Sequence, residues 1–275
     1  MQEPYFQLDN FELYHGNSMD ILPTIGNVNM AFADPPYFLS NDGLTIHNGK
    51  IVSVNKGSWD KFNGNIDDFN YSWIKLVREV LVSDGTIWIS GTMHNIFSIA
   101  MVLKELNFKI LNTITWQKKN PPPNFSCRCF THSTEFIIWA RKERGKAHFY
   151  NYSLMKALND NKQMKDVWTF SSISKWEKFN GQHPTQKPLS ILSRIILASS
   201  RKGDLVLDPF SGSGTTGIAA NLLNRRYIGI DIEKEYLEIT KKRYAEIQVK
   251  QFDFRCETKC FFKMRKYSAN LLKFK

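Results

Sequence analysis

The chain has 275 residues, 42% of them hydrophobic and 23% charged, an ordinary balance for a soluble globular protein built as one large α/β domain or two small ones. Its net charge of +11 favours a polyanionic partner without specifying it. No apolar run approaches membrane-spanning length, and Met1-Gln2-Glu3-Pro4 has no basic-then-apolar signal pattern, so no membrane partner or export signal is expected.

Residues 5–16 alternate apolar and polar and read as a strand. Gly16-Asn17-Ser18-Met19-Asp20 then reads as a strand end and a helix cap. Asn17 is either that cap or a ligand contact. Val28 to Ala33 is an apolar run that reads as a short buried strand, and Asp34-Pro35-Pro36-Tyr37 follows at its carboxyl end. In open α/β sheets that is the end where ligands bind.

The tetrapeptide suits a specific chemistry. An aromatic exocyclic amine is a poor nucleophile because its lone pair is delocalised into the ring. The Asp34 carboxylate and the Pro35 carbonyl can each accept one N–H from it, drawing the nitrogen toward tetrahedral geometry. Proline fixes φ and brings no N–H of its own. Tyr37 can stack on a flat heterocycle, an interaction worth roughly 1–3 kcal/mol per base. The plainer reading is a strand that ends in a proline turn, with Tyr37 in the core.

Periodicity dissolves over 38–58, an Asn/Gly-rich stretch read as a mobile loop that closes over a substrate and ends at Trp59-Asp60-Lys61-Phe62. Phe69, Trp73, Leu76, Val77, Val80 and Leu81 give 69–82 a helical period. Ser83-Asp84-Gly85 reads as a turn, 86–91 as a strand, 95–106 as a helix and 109–116 as a strand. This alternation favours a mainly parallel sheet covered on both faces. Trp116 to Asn124 is a stiff, basic, proline-rich loop able to reach phosphate or base edges, and 134–140 resumes a strand. Residues 140–182 have weak periodicity and aromatic clusters at Trp168, Trp176 and Phe179. They read as a small insert that carries specificity or as an inert excursion.

His183-Pro184-Thr185-Gln186-Lys187-Pro188 precedes a helical pattern, Leu189 to Ser199. Lys187, beside a helix start, can meet an anion such as a ligand carboxylate, or can simply be solvated. Asp204 to Asp208 reads as a strand. Pro209-Phe210-Ser211-Gly212-Ser213-Gly214-Thr215-Thr216-Gly217 and a helix over 218–223 follow. The strand Tyr227 to Ile230 ends in Asp231, an acid placed to hold a ribose diol. Residues 250–275 are basic and aromatic and suit either a phosphate backbone or a covered sheet edge. Cys127, Cys129, Cys256 and Cys260 lack C-x-x-C spacing and no histidine completes a zinc set. They read as reduced cytosolic thiols in a cytoplasmic protein with no metal site.

Gly212, Gly214 and Gly217 match G-x-G-x-x-G, so a dinucleotide is one reading. Asp208-Pro209-Phe210 puts a carboxylate and a ring where a pyrophosphate wants neutral backbone, and Asp34 to Tyr37 has no role in hydride transfer. An adenosyl ligand with an amino-acid tail fits better. Asp231 would hold its ribose, Phe210 and Ile232 its adenine, and Lys187 its carboxylate.

Asp34–Tyr37, Phe210-Ser211-Gly212-Ser213-Gly214 and His183–Pro188 resemble motifs IV, I and X of the S-adenosylmethionine-dependent amino-methyltransferases of DNA. Their order is that of the β group, and the resemblance covers about residues 10–245. Within the family the chain is similar to the DpnA-like second methylases of GATC-recognising restriction systems. The resemblance implies a class I S-adenosylmethionine-dependent methyltransferase fold, α/β and Rossmann-like, in a single domain. The strands before Asp34 and Asp208 would be neighbours. Asp34, Pro35, Pro36 and Tyr37 would be catalytic. Asn17, Asp34, Lys187, Asp208, Pro209, Phe210, Ser211, Gly212, Ser213, Gly214, Thr215, Asp231 and Ile232 would bind S-adenosyl-L-methionine. Asn17 departs from the aspartate that many relatives place there. The region 140–182 would recognise the target.

The expected activity is transfer of a methyl group to adenine N6 in duplex or single-stranded DNA after base flipping. Asp34, rather than serine, at the head of the tetrapeptide favours adenine over cytosine N4. Relatives are often dimers, so a homodimer is expected. The alternatives are an N4-cytosine enzyme, an RNA or protein amino-methyltransferase, and a catalytically silent DNA-binding subunit.

Overall fold

The computed structural model describes residues 3–37, 44–47, 50–53, 64–121, 123–124, 127–171, 173, 177 and 186–249. Among them a nine-stranded sheet runs in the order β1-β2-β11-β10-β3-β6-β8-β7-β9. Its strands are β1 Phe6–Leu8, β2 Phe11–His15, β3 Val28–Ala33, β6 Leu81–Gly91, β7 Lys109–Lys118, β8 Thr134–Arg141, β9 Val167–Phe170, β10 Leu205–Asp208 and β11 Arg226–Asp231. From the pairings, β2, β11, β10, β3, β6, β7 and β9 run one way, and β1 and β8 run against them. A mainly parallel α/β sheet of the class I methyltransferase kind is therefore the architecture.

The helices are α1 Ser18–Ile21, α2 Ile66–Val80, α3 Ile96–Glu105, α4 Tyr152–Leu158, α5 Leu189–Ser199, α6 Thr215–Leu222 and α7 Lys234–Val249. Alternate β3 side chains enter two separate cores. Met30 and Phe32 pack with residues of α4, α5, α6 and α7, and Ala31 and Ala33 with residues of α1, α2 and α3. Burial on both faces explains why β3 reads as a continuous apolar run rather than an alternating one. β3 pairs with β10 at Val206↔Met30 and Leu207↔Ala31, so the strands before Asp34 and Asp208 are neighbours.

Several local expectations change. The single strand expected over 5–16 is two, β1 and β2, paired antiparallel. Ser83-Asp84-Gly85, expected as a turn, lies within β6. There the register with β3 jumps from Val28↔Leu81 to Met30↔Thr86, so the turn-forming residues are absorbed as a bulge. The loop expected over 38–58 contains an antiparallel hairpin, β4 Leu44–His47 and β5 Lys50–Ser53, and the rest of that stretch is outside the described residues. Within 140–182, β9 extends the main sheet along β7. α4 docks on α5, where the Asn151 N–H bonds the Ala198 carbonyl at 2.8 Å. Trp176, Phe179, His183–Thr185 and 250–275 are outside the described residues. Helix α7 has no counterpart among the sequence expectations.

Candidate active site

The carboxyl ends of β2, β3, β10 and β11 converge on a cavity of about 510 Å³, a volume suited to a small-molecule ligand. Asn17, Asp34, Pro36, Lys187, Asp208, Pro209, Phe210, Ser211, Gly212, Ser213, Thr215, Asp231 and Ile232 line it. Pro35, Tyr37 and Gly214 do not. Asn17 does two jobs by position: it lines the cavity, and its side chain caps α1 by accepting the Met19 N–H at 3.0 Å. Phe69 of α2 adds an apolar wall, and Trp73 holds Phe210 edge-on with ring centroids 5.2 Å apart.

The glycine loop is shaped by what surrounds it. Gly214 caps α6 with φ +71, a left-handed conformation that side chains resist. At Gly217 an added Cβ would stand 2.4 Å from the Tyr227 ring, so α6 can approach β11 closely only without one. Gly212 donates its N–H to Asp231 Oδ2 at 2.6 Å, and the Glu233 N–H meets Oδ1 at 2.9 Å. Asp231 thus ties the loop to the end of β11. Burial pushes its carboxyl up to about 6, against the pull of those two N–H bonds. Asp208 accepts the Phe210 N–H at 3.1 Å and the Thr216 hydroxyl at 2.5 Å, and burial pushes it up to about 7.

Asp34 sits in a buried polar cluster. The Tyr37 hydroxyl donates to Asp34 Oδ1 at 2.6 Å, and Lys187 Nζ donates to Oδ2 at 2.5 Å. Lys187 also reaches the Tyr37 oxygen at 3.2 Å. Burial raises the Tyr37 hydroxyl well above its ordinary value, so it stays a donor. For Lys187 burial works against the charge, but Asp34, Tyr37 and Glu135 more than offset it and hold the ammonium above the usual lysine range. Tyr37 is only 7% exposed, so in this arrangement it aims Asp34 rather than presenting an open stacking face. Lys187, expected to meet a ligand carboxylate, lines the cavity and makes its shortest contact with Asp34.

Four contributors escaped sequence reasoning. Glu135 on β8 lies 2.6 Å from Lys118 Nζ and 3.8 Å from Lys187 Nζ. Glu177 accepts the Leu189 N–H at 2.8 Å and so caps α5 next to Lys187. Thr240 bonds the Gly212 carbonyl at 3.2 Å. Arg243, one turn further along α7, bonds the Ser213 hydroxyl and the Thr215 hydroxyl, each at 3.0 Å. The three-residue spacing of Thr240 and Arg243 on one helix face was the available signal. Glu135 and Glu177 carry none, because their partners are distant in sequence.

A model of a DNA methylase family matches residues 28–242. The chain is 60% identical over 251 residues to "Type II methyltransferase M2.MboI" of Moraxella bovis, covering 89% of this chain and 92% of that protein. It is 57% identical over 248 residues to "Type II methyltransferase M2.DpnII" of Streptococcus pneumoniae, covering 88% and 92%. Among solved structures, an M1.HpyAVI–SAM complex aligns with TM-score 0.65 at 31% identity, covering 85% of this chain and 98% of that one. The cytosine-N4-specific PvuII DNA methyltransferase shares the fold with TM-score 0.70 at 17% identity, covering 96% and 95%.

Proposed function

The chain belongs to the DNA methylase family, and on that premise we propose that it methylates adenine N6 within a specific DNA sequence, at the crevice between β3 and β10. It is an S-adenosylmethionine-dependent DNA methyltransferase. The observation that carries the site assignment is the adjacency of β3 and β10, which sets Asp34 in one cavity with Asp208–Ser213 and Asp231. Asp34 at the head of the tetrapeptide supports adenine over cytosine. Likeness to two Type II methyltransferases along almost their whole length supports a place in a Type II restriction–modification system. GATC is the target that the DpnA-like resemblance implies.

The cavity fits the cofactor on its own chemistry. It joins an apolar side, Phe69, Phe210 and the half-exposed Ile232, to carboxylates at three strand ends and a cradle of loop backbone. Asp231 would hold the ribose hydroxyls, Phe210 and Ile232 would flank the adenine, and residues 209–215 would supply the cradle. When bound, S-adenosylmethionine supplies a methyl group on a positively charged sulfur. The chain supplies orientation. The target base must leave the duplex, at a cost of a few kcal/mol, because its amine is otherwise paired. Asp34 and the Pro35 carbonyl would each accept one N–H of that amine and aim its lone pair, while the Tyr37 hydroxyl fixes the carboxylate. Positioning and electrostatics carry the rate, with no covalent nucleophile. Cys127 and Cys129 are exposed, and neither lines the cavity.

The proposal includes target recognition by 140–182, a cytoplasmic location and a homodimer, the last read by sedimentation equilibrium. Among the described residues no helix is long and apolar enough to cross a membrane. The test of function is transfer of labelled methyl to unmethylated duplex and single-stranded DNA, followed by nucleoside mass spectrometry. N6-methyladenine is expected. N4-methylcytosine would overturn the base assignment, and unlabelled DNA with the cofactor bound would redirect the search to RNA or protein.

A further inference from the structure

Both Asp34 oxygens are engaged. Oδ1 takes the Tyr37 hydroxyl at 2.6 Å and Oδ2 takes the Lys187 ammonium at 2.5 Å. The Lys187 and Asp34 side chains are 8% and 14% exposed, so this ion pair is shielded from solvent. Each oxygen can accept a second bond, but an ammonium at 2.5 Å weakens Oδ2 as an acceptor, so Asp34 takes an N–H of the target amine more strongly once the ammonium gives Oδ2 up. A buried ammonium released without a second counter-charge is strongly disfavoured.

A second counter-charge stands beside it. Glu135 Oε2 is 3.8 Å from Lys187 Nζ, buried, and without a hydrogen-bond partner among the described residues. An orphaned buried carboxylate oxygen is uncommon, and each instance calls for an explanation. Hydrogen-bond contact between ammonium and carboxylate is about 2.7–2.9 Å, so a shift of roughly 1 Å by Nζ would satisfy it. Glu135 itself is held in place. Its Oε1 is anchored by Lys118 Nζ at 2.6 Å, and its strand β8 is paired on both sides, by β6 and by β7.

We propose that Glu135 is a positioning residue for methyl transfer, the second seat of the Lys187 ammonium when the target amine takes Asp34 Oδ2. The ammonium moves between two carboxylates and stays protonated, so this shift leaves the cluster's net charge unchanged, and the proton that the amine sheds on methylation passes separately, to Asp34 and then solvent. The inference rests on the reading of Asp34 as the amine acceptor. It adds an acceptor on the antiparallel strand β8, which carries none of the three sequence motifs.

The test uses the full-length chain, S-adenosylmethionine and an unmethylated duplex oligonucleotide containing GATC. Glu135→Gln keeps the shape and removes the charge. The expected result is a fall in kcat of about 10–100-fold, the scale of a misplacement near 1 Å. The KM for DNA and the calorimetric affinity for S-adenosylmethionine should stay within about twofold of the parent. Glu135→Asp should recover part of the lost kcat. A Glu135→Gln enzyme with parental kcat, beside an inactive Asp34→Ala control, would overturn the role of Glu135 and leave that of Asp34 standing. Equal losses of cofactor affinity and turnover would assign Glu135 to the scaffold and also overturn it. An active Asp34→Ala control would instead sink the underlying reading.

Discussion

The Thr240 side chain fills the space that a Cβ on Gly214 would need, with Cγ2 2.2 Å from the ideal Cβ position. Gly214 therefore carries two constraints, this contact and its φ of +71. Gly214→Ala should destabilise the chain by about 1–3 kcal/mol and weaken cofactor binding. Thr240→Ala removes Cγ2 and Oγ1, and with Oγ1 the bond to the Gly212 carbonyl, so measured against Thr240→Ala the Gly214→Ala change should cost less than in the parent, by most of its packing part but not its backbone part. Chemical denaturation of both single variants and the double variant gives the split; a double variant as stable as Thr240→Ala alone would mean the backbone conformation costs nothing.

Asp34→Ala should lower methyl transfer by at least about 10³-fold, since the carboxylate acts on the reacting amine. Cofactor affinity should change far less, because the cradle of 209–215 and Asp231 remain. Single-turnover transfer and calorimetry on the same preparation separate the two. Near-parental turnover would remove Asp34 from the mechanism.

The two raised carboxyls at the strand ends give opposite kinds of pH dependence. Asp231 titrates at about 6. If its ionised oxygens hold the ribose, affinity for S-adenosylmethionine should fall as pH drops through that value, and Asp231→Asn should bind weakly with a flatter profile. A parental affinity that is unchanged between pH 7.5 and about 5.5 would exclude that contact.

Asp208 bears on folding. Burial raises its folded pKa from the ordinary 3.8 to about 7, so the folded chain holds this proton more tightly than the unfolded chain. Its contribution favours folding below about pH 4 and is lost as pH rises through about 7. Asp208→Asn should gain stability relative to the parent at pH 8 compared with pH 5, as read by urea midpoints. A constant gap between variant and parent would show that Asp208 titrates normally.

Arg243→Ala should leave the Ser213 and Thr215 oxygens short of a donor, at a cost of about 1–3 kcal/mol in stability. Cofactor affinity should drop by about tenfold, or roughly 1.4 kcal/mol, although Arg243 is not among the residues lining the cavity. Arg243→Lys, which keeps charge but not the fork, should fall between. Unaltered calorimetric binding in the alanine variant would separate α7 from the loop.

What could be read from the sequence follows the physics of each part. The strand ends at Asp34, Asp208 and Asp231 were legible because a buried parallel strand is a short apolar run and its functional group follows directly. The bulge at Ser83-Asp84-Gly85 looks like a turn because the same residues serve both. β9 and α4 gave weak periodicity: β9 is an edge strand of four residues and α4 buries only Leu154 and Met155. Glu135 and Glu177 act on Lys187 and on the start of α5 from separate elements, and no local pattern announces such partners. The Tyr37 hydroxyl bond to Asp34 spans only three residues, yet the choice between an open ring and a buried one depends on Lys187, 150 residues away.

β10 lies between β3 and β11, so the centre of the sheet is filled by one of the last strands to be synthesised. A nascent chain that has emerged only through β8 can pair β3 with β6 on one side, but the other edge of β3 must wait for β10, about 170 residues after it in sequence. During that interval an apolar edge stands open beside the future catalytic carboxylate, a template for the wrong strand. Asn29, whose side chain receives the Leu205 N–H at 2.8 Å, is a polar mark on that edge where β10 begins. Chains that stall before residue 205 therefore lack more than a cofactor loop. They carry an unfinished sheet, and aggregation of such fragments, rather than a soluble inactive core, is the expected fate.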